Sequence, residues 1–153
     1  MKMTLCYMEK DDKFLMLHRT KKENDVNKGK WIGVGGKLES GETPIEGIIR
    51  EIKEETGYTP NYCRFRGIVV FNYNENPSEY MHLYTCDDFD GEMTICDEGD
   101  LKWIDKKRIF DLNLWEGDKI FLKLIMKETP VFNLVLNYNN DDLISHTLEF
   151  VEQ

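Results

Sequence analysis

The chain has 153 residues, of which 41% are hydrophobic, and this size suffices for one hydrophobic core. We therefore expect a single domain over residues 1–153. The net charge of −9 and the pI near 4.9 argue against binding to a nucleic-acid polymer, whose backbone attracts clustered Lys and Arg side chains. An anionic ligand would need a cation to offset the repulsion from this acidic chain.

The N-terminal segment contains no apolar run long enough for a signal peptide, and the four cysteines form no CxxC pair. No apolar stretch approaches the roughly 20 residues that a membrane-spanning helix requires. These features predict a cytoplasmic protein with reduced thiols and no membrane partner.

Two strands are predicted first, over residues 1–8 and 14–18, joined by a turn at Lys10–Asp12. The polar segment 20–30 then indicates a surface loop beside the entry to a site. Its lysines could contact phosphates, although a solvated loop is the more common outcome for such a segment.

A helix is predicted to begin at Thr43, because Thr43 and Glu46 form a capping box and Pro44 occupies the first helical position. Gly57 is typical of a helix end, which gives a span of about thirteen residues. The 100° spacing places four isoleucines on one arc, which should face the core. These are Ile45, Ile48, Ile49 and Ile52.

Glu51, Glu54 and Glu55 lie on another arc of this helix, where their like charges repel one another unless a cation is present. Gly47 projects from the same arc. Because Gly47 has no side chain, we expect a Gly35-Gly36 turn to lie against the carboxylates and to offer a backbone carbonyl. Such hard oxygen ligands suit Mg²⁺ or Mn²⁺. The alternative is that the acidic run is simply a solvated helix face, as most such runs are.

Beyond this helix, strands are predicted over residues 65–73 and 79–86, around a turn at 74–78, and over 101–104. A second helix is predicted over residues 115–127, and a closing hairpin over 131–138 and 143–151. The apolar face of the second helix comprises Ile120, Phe121, Leu124 and Ile125.

The segment GKLESGETPIEGIIREIKEETGY, residues 36–58, resembles the Nudix box of the Nudix hydrolase family. Every defining position of that box is filled except the last, where Tyr58 replaces the usual aliphatic residue. The matching positions are Gly36, Glu42, Arg50, Glu51, Ile52, Glu54, Glu55 and Gly57. The resemblance implies an α+β fold, namely an α/β/α sandwich around a mixed sheet in a single domain.

The same resemblance implies that Glu51, Glu54 and Glu55 bind a metal ion together with the Gly35 carbonyl. It also implies that Lys37 contacts phosphate.

Arg50 would orient Glu51 through a charge-assisted hydrogen bond. The alternative for Arg50 is a surface ion pair with Glu46 or Glu54.

MutT-type members of the family carry a metal-binding or base-like glutamate at the position of Glu98, for which Asp97 and Asp100 are competitors. Metal-assisted substitution at a diphosphate needs a proton acceptor. Glu51, Glu55 and Glu98 all remain candidates for that role.

The segments WIGVGGKLESGETP and WEGDKIFLKL, with the Phe71 strand, resemble the MutT-like oxidised purine nucleoside triphosphatases of this family. This likeness implies that Trp115 stacks on a purine, that Asp118 binds its polar edge, and that Phe71 lines the pocket. The alternative is that Trp115 and Asp118 are ordinary residues of a helix start. Ile32 stands where animal relatives have an asparagine, so base discrimination could differ.

The implied activity is Mg²⁺-dependent hydrolysis of 8-oxo-dGTP, or a related purine nucleoside triphosphate, to the monophosphate and pyrophosphate. Such an enzyme serves nucleotide pool sanitation and DNA repair as a monomer or weak homodimer. Two alternatives remain. One is a Nudix hydrolase of ADP-ribose or a dinucleoside polyphosphate, and the other is a non-catalytic nucleotide-binding sensor domain.

Overall fold

The computed structural model describes residues 1–151, which form nine strands, two α-helices and one 3₁₀ helix. The chain order is β1 (Lys2–Lys10), β2 (Lys13–Arg19), β3 (Trp31–Ile32), β4 (Val34–Lys37), α1 (Pro44–Thr56), β5 (Thr59–Tyr73), β6 (Glu79–Asp90), β7 (Gly99–Asp105), the 3₁₀ helix (Lys106–Asp111), α2 (Glu116–Met126), β8 (Phe132–Asn139) and β9 (Asp142–Phe150).

The strands within residues 1–151 form one mixed sheet in the order β3-β2-β1-β6-β5-β8-β9. In addition, β4 pairs with β1 and β7 pairs with β2. The β1–β6 and β5–β8 pairs are parallel, whereas the other pairs are antiparallel. The fold predicted from the family resemblance is therefore confirmed.

The two faces of this sheet carry separate hydrophobic clusters, because successive strand side chains point to opposite faces. Along β1, Leu5 and Tyr7 belong to the cluster under α2, whereas Cys6 and Met8 belong to the cluster under α1. Each helix therefore covers one face of the sheet, which is the α/β/α arrangement. All four cysteines are free and buried. Within residues 1–151, no helix has the length and apolar character needed to cross a membrane.

Helix α1 begins and ends where the sequence predicts. The Thr43 hydroxyl accepts from the Glu46 N–H, the Glu46 carboxylate accepts from the Thr43 N–H, and Gly57 follows the helix in the left-handed region at φ 83°. Ile48 and Ile52 are fully buried, but the prediction for Ile45 was wrong because its side chain is 40% exposed. Ile45 lies in the first turn of α1, and the first buried residues of this helix are Gly47 and Ile48.

Several element bounds differ from those predicted. Strand β5 begins at Thr59 rather than residue 65, and β6 continues to Asp90, because the two strands pair along their polar outer halves. Trp115 precedes α2 as its cap instead of lying inside it. Gly35 and Gly36 lie in strand β4, paired with β1, so the predicted turn there was wrong.

Candidate active site

The acidic face of α1 lies against the free edge of β4. The Gly35 N–H donates to the Glu55 carboxylate at 2.9 Å, and the Lys37 carbonyl accepts from Arg50 at 3.2 Å. Since the N–H and C=O of one strand residue point to the same side, the Gly35 carbonyl is also directed toward α1. The edge of β4 thus presents a backbone oxygen to the helix, and the metal-binding role of the Gly35 carbonyl stays a prediction.

Gly36, rather than Gly47, allows this close approach. A Cβ atom at Gly36 would lie 2.7 Å from Oε1 of Glu51, so any side chain there would displace the carboxylate. A Cβ atom at Gly47 would instead meet the Leu38 side chain at 2.3 Å and Glu42 at 3.1 Å. Gly47 therefore makes room for the loop before α1, which corrects the role predicted for it.

Arg50 is the centre of the charge network on α1. Its Nε and Nη2 donate to the two oxygens of Glu42 at 2.7 and 2.9 Å, and its Nη1 donates to Glu51 at 2.9 Å and to Glu54 at 3.2 Å. With the bond to the Lys37 carbonyl, these contacts occupy all five guanidinium hydrogens. Arg50 thus contacts both Glu51 and Glu54, and it forms no ion pair with Glu46 among the described residues.

Glu42 is the Arg50 partner that sequence reasoning missed. Its carboxylate accepts the bidentate fork of Arg50, and this hydrogen bond lowers the pKa of Glu42 to about 2. Glu42 precedes α1, so helical spacing gives no sign of the pairing. The spacing of Glu42 and Arg50 within the family box is the only signal that could have indicated it.

Glu98 immediately precedes β7 and joins the helix carboxylates. It accepts hydrogen bonds from Arg19 at 3.2 Å and from Lys22 at 3.1 Å. Its competitors, Asp97 and Asp100, are exposed and do not belong to the lining of the cavity that holds Glu98. The sequence alone could not indicate Arg19 and Lys22, because they reach Glu98 across 79 and 76 residues.

The Glu55 carboxyl group lies close to the Glu98 carboxyl group, and the two shift each other's pKa. Burial raises the pKa of Glu55 well above its usual range, and the neighbouring Glu98 and Glu51 carboxylates raise it further. Burial alone would raise the pKa of Glu98, but the neighbouring Glu55 carboxyl group and the cations Lys22 and Arg19 lower it overall. The pKa values of the neighbouring Glu55 and Glu98 are therefore shifted in opposite directions.

These donors fit a hard divalent cation in chemistry, since they are carboxylates and one backbone carbonyl, and their mutual repulsion is the kind that a cation relieves. Within residues 1–151, no three His, Cys, Asp or Glu side chains stand in an arrangement that could already hold a metal ion. The reason is visible in the contacts: Arg50 engages Glu51 and Glu54, and Glu54 remains 59% exposed. Arg50 contacts only one oxygen of each of these carboxylates, Oε1 of Glu51 and Oε2 of Glu54.

The aromatic part of the site surrounds Trp115. Phe71, Tyr73 and Tyr138 pack edge-on against the indole, with ring centroids 5.4 to 6.4 Å away. The Lys30 ammonium lies 4.8 Å from the indole centroid, and the Trp115 side chain is only 3% exposed. Trp115 is thus a largely buried residue of the cavity wall.

Asp118 lies in the first turn of α2 and is 5% exposed. Burial raises its pKa from 3.8 to about 8, although the nearby Lys30 charge lowers it. No hydrogen bond to another group of residues 1–151 compensates for the burial of this carboxyl group. A buried carboxyl without a partner is costly, which makes Asp118 a candidate ligand-binding group.

A single cavity of about 860 Å³ connects the acidic and aromatic parts. Arg19, Lys22 and Asn27 also line it; of these, only Lys22 belongs to the lysines of segment 20–30 for which a phosphate contact was considered from the sequence. Glu54 is the one predicted site residue outside this lining within residues 1–151. The predicted residues that line the cavity are Gly35, Lys37, Arg50, Glu51, Glu55, Phe71, Glu98, Trp115 and Asp118.

Comparison with known proteins identifies relatives that span the same region. The NUDIX domain family matches residues 3–125. The Nudix hydrolase YvcI of Bacillus subtilis is 30% identical over 97% of this chain and 94% of its own. The oxidized purine nucleoside triphosphate hydrolase of Danio rerio is 28% identical, covering 86% of this chain and 85% of its own. The crystal structure of the Mutator MutT protein from Bacillus halodurans shares a TM-score of 0.87 at 27% identity, with 97% of each chain covered.

Proposed function

Because this chain belongs to the Nudix hydrolase family, we propose that it hydrolyses a purine nucleoside triphosphate, with 8-oxo-dGTP or a related oxidised nucleotide preferred, to the monophosphate and pyrophosphate. One observation carries the proposal: Glu51, Glu55 and Glu98 share a cavity with the buried, unpartnered Asp118. Phosphate chemistry and base recognition would thus occur in one space, which is large enough for a nucleotide.

Nudix hydrolases generally use divalent metal ions, and we propose Mg²⁺ here, with Mn²⁺ as a possible substitute. The residues that would hold it are Glu51, Glu54, Glu55, Glu98 and the carbonyl of Gly35. When bound, the cation supplies neutralisation of the phosphate oxygens and activation of water.

The chain's own carboxylates would move the proton of the attacking water. Glu51, Glu55 and Glu98 all line the cavity, and the opposite pKa shifts of the neighbouring Glu55 and Glu98 support a role of this pair in proton transfer. General-base action of this kind contributes about 10²–10⁴ in rate.

Arg50 would position carboxylates instead of binding phosphate, because all five of its donors are engaged. The phosphates would instead contact Lys37, which lines the cavity, is exposed and donates no hydrogen bond within the described part of the chain. Lys22 and Arg19 would contribute after leaving Glu98, once a cation satisfies that carboxylate.

The base would lie beside Phe71 and Trp115, with Asp118 on its polar edge. Support comes from the Danio rerio relative, whose name describes a hydrolase of oxidized purine nucleoside triphosphates. An asparagine at position 32 is not required for this proposal, since Ile32 lines the cavity as an apolar surface.

The test is a substrate panel assayed with Mg²⁺: normal and oxidised nucleoside triphosphates, ADP-ribose and dinucleoside polyphosphates. We expect 8-oxo-dGTP to give the highest kcat/KM, with pyrophosphate as product. A higher kcat/KM for ADP-ribose or a dinucleoside polyphosphate would refute the proposed substrate class, and no turnover of any compound would indicate a binding domain.

Two variants test whether the activity depends on this site. Glu55→Gln should abolish turnover while the protein stays folded, because a carboxylate near the reacting water is lost. Glu149→Gln is the matched control, since Glu149 is exposed on β9 outside the cavity lining. Near-normal turnover in Glu55→Gln would refute the site assignment.

A further inference from the structure

Asn27 lies in the loop between β2 and β3 and lines the same cavity. Its Oδ1 accepts a 2.7 Å hydrogen bond from the Trp115 indole Nε1–H. An indole N–H can only donate, so the Asn27 atom that faces it must be the amide oxygen. The orientation of this amide is therefore determined by chemistry.

This orientation leaves the Asn27 NH₂ group as a donor without a protein partner. No acceptor among residues 1–151 bonds to Nδ2, although the amide is only partly exposed. The backbone around it is well held, because the Asn27 N–H donates to Asp25 at 3.0 Å and its carbonyl accepts from Lys30 at 2.8 Å. These contacts hold Asn27 in place at the cavity wall, with its Nδ2 free of a protein partner within the described residues.

Asn27 and Asp118 flank Trp115: Asn27 bonds the indole, and Asp118 is three residues further along α2, where its N–H bonds the Trp115 carbonyl. Both line the cavity, and both carry a polar group without a protein partner within the described residues. One group is an obligate donor and the other is a carboxyl. Two polar residues without protein partners for these groups therefore adjoin Trp115 in one cavity.

We propose that Asn27 is a base-specificity residue, which donates from Nδ2 to the C6 carbonyl of a 6-oxopurine while Asp118 binds the adjacent ring N–H. This inference rests on the proposed function. Guanine-type bases carry an acceptor at C6 and a donor at N1, whereas adenine carries an amino donor at C6. The Asn27 NH₂ group facing that amino group would leave two donors unpaired.

Asp118 alone could not make this selection. A carboxyl group accepts when ionised and donates when protonated, so it can pair with either kind of purine. The amide NH₂ of Asn27 can only donate, because its oxygen is engaged by Trp115. Asn27 therefore carries the discrimination between 6-oxo and 6-amino purines, and Asp118 contributes binding to both.

The decisive variant is Asn27→Asp. It retains an oxygen acceptor for the Trp115 N–H, and so keeps the loop attached, but it replaces the donor facing the base with an acceptor. The matched control is Asn24→Asp, which makes the same change at an exposed position of the same loop, outside the cavity lining. The measurement is kcat/KM for dGTP and for dATP, compared as a ratio.

We expect Asn27→Asp to lower the dGTP/dATP ratio by roughly 10- to 100-fold, which corresponds to one well-formed base contact. Asn24→Asp should leave the ratio as in the wild type. If Asn27→Asp keeps the wild-type ratio within twofold, Asn27 merely attaches the loop to Trp115 and the inference is overturned. A loss that is equal for both nucleotides in Asn27→Ala would overturn it as well.

Calorimetric binding of GMP and AMP separates this inference from the proposed function. If the wild type hydrolyses no triphosphate but prefers GMP, and Asn27→Asp removes that preference, the proposed function fails while the specificity role stands. If the wild type hydrolyses purine triphosphates and the variant leaves both ratios unchanged, only the specificity role fails. Absence of both hydrolysis and GMP binding in the wild type overturns both.

Discussion

Replacing Asp118 with asparagine should stabilise the protein, because the wild type buries an ionisable carboxyl without a partner. Burial raises the pKa of Asp118 from 3.8 to about 8. In the unfolded chain this group ionises at its ordinary pKa, so folding near neutral pH requires it to take up a proton. An amide needs no such proton, and it keeps nearly the same shape.

The direction of this change in the free energy of unfolding follows from proton linkage. The pKa of Asp118 is higher in the folded state than in the unfolded state. Its contribution to the free energy of unfolding is therefore fully present below about pH 4, and it is lost as the pH rises through about 8. At about 1.36 kcal/mol per unit of pKa, Asp118→Asn should raise the free energy of unfolding by up to about 4 kcal/mol at pH 7. The difference in the free energy of unfolding between Asp118→Asn and the wild type should be near zero at pH 4 and reach its maximum above pH 8.

The assay is urea unfolding without metal ions at pH 4, 6, 7 and 8.5, for the wild type and the variant. Contributions from Glu55 and other titrating groups are common to both proteins and cancel in the difference. Asp111→Asn is the control, since Asp111 is exposed at the end of the 3₁₀ helix. Parallel stability curves for the wild type and Asp118→Asn across this pH range would refute the reasoning.

Four further outcomes are expected. Arg50→Lys should lower kcat roughly 100-fold with little change in circular dichroism, because an ammonium cannot reproduce the five-donor fork that positions the carboxylates; a normal kcat would contradict this role. Gly36→Ala should weaken the Mg²⁺ dependence of turnover, because the added Cβ would lie 2.7 Å from Glu51; an unchanged Mg²⁺ titration would argue against it. Mg²⁺ at 100 times its Kd should add about 2.7 kcal/mol to the unfolding free energy and raise Tm, and a constant Tm would count against the site. Trp115→Ala should cost about 3–5 kcal/mol of stability in chemical denaturation, because the residue is 3% exposed, so Trp115→Phe is the better probe of base binding; a loss below 1 kcal/mol would show that the burial matters little.

The start of α1 shows what could be predicted from the sequence. The capping box, Pro44 and Gly57 act within a few residues of each other, so their geometry follows from local chemistry. The grouping of Glu51 and Glu55 on one face follows equally from the helical repeat. The same repeat was insufficient for Ile45, because it gives the angle of a side chain around the helix and not whether the sheet extends beneath that turn.

The base-binding part of the site was decided by tertiary structure. Asn27 meets Trp115 across 88 residues, and Arg19 meets Glu98 across 79, so neither contact has a signature in local sequence. The burial of Asp118 likewise results from packing of α2 against β8, where Gly117 donates to the Tyr138 hydroxyl.

The sequence by itself therefore determined the helix, its carboxylates and the family, because these depend on short-range spacing. Which polar groups reach the cavity, and which of them lack a partner there, depended on how distant strands and loops pack together. Those are properties of the folded chain, since hydrogen-bond satisfaction and desolvation exist only after folding brings the groups together.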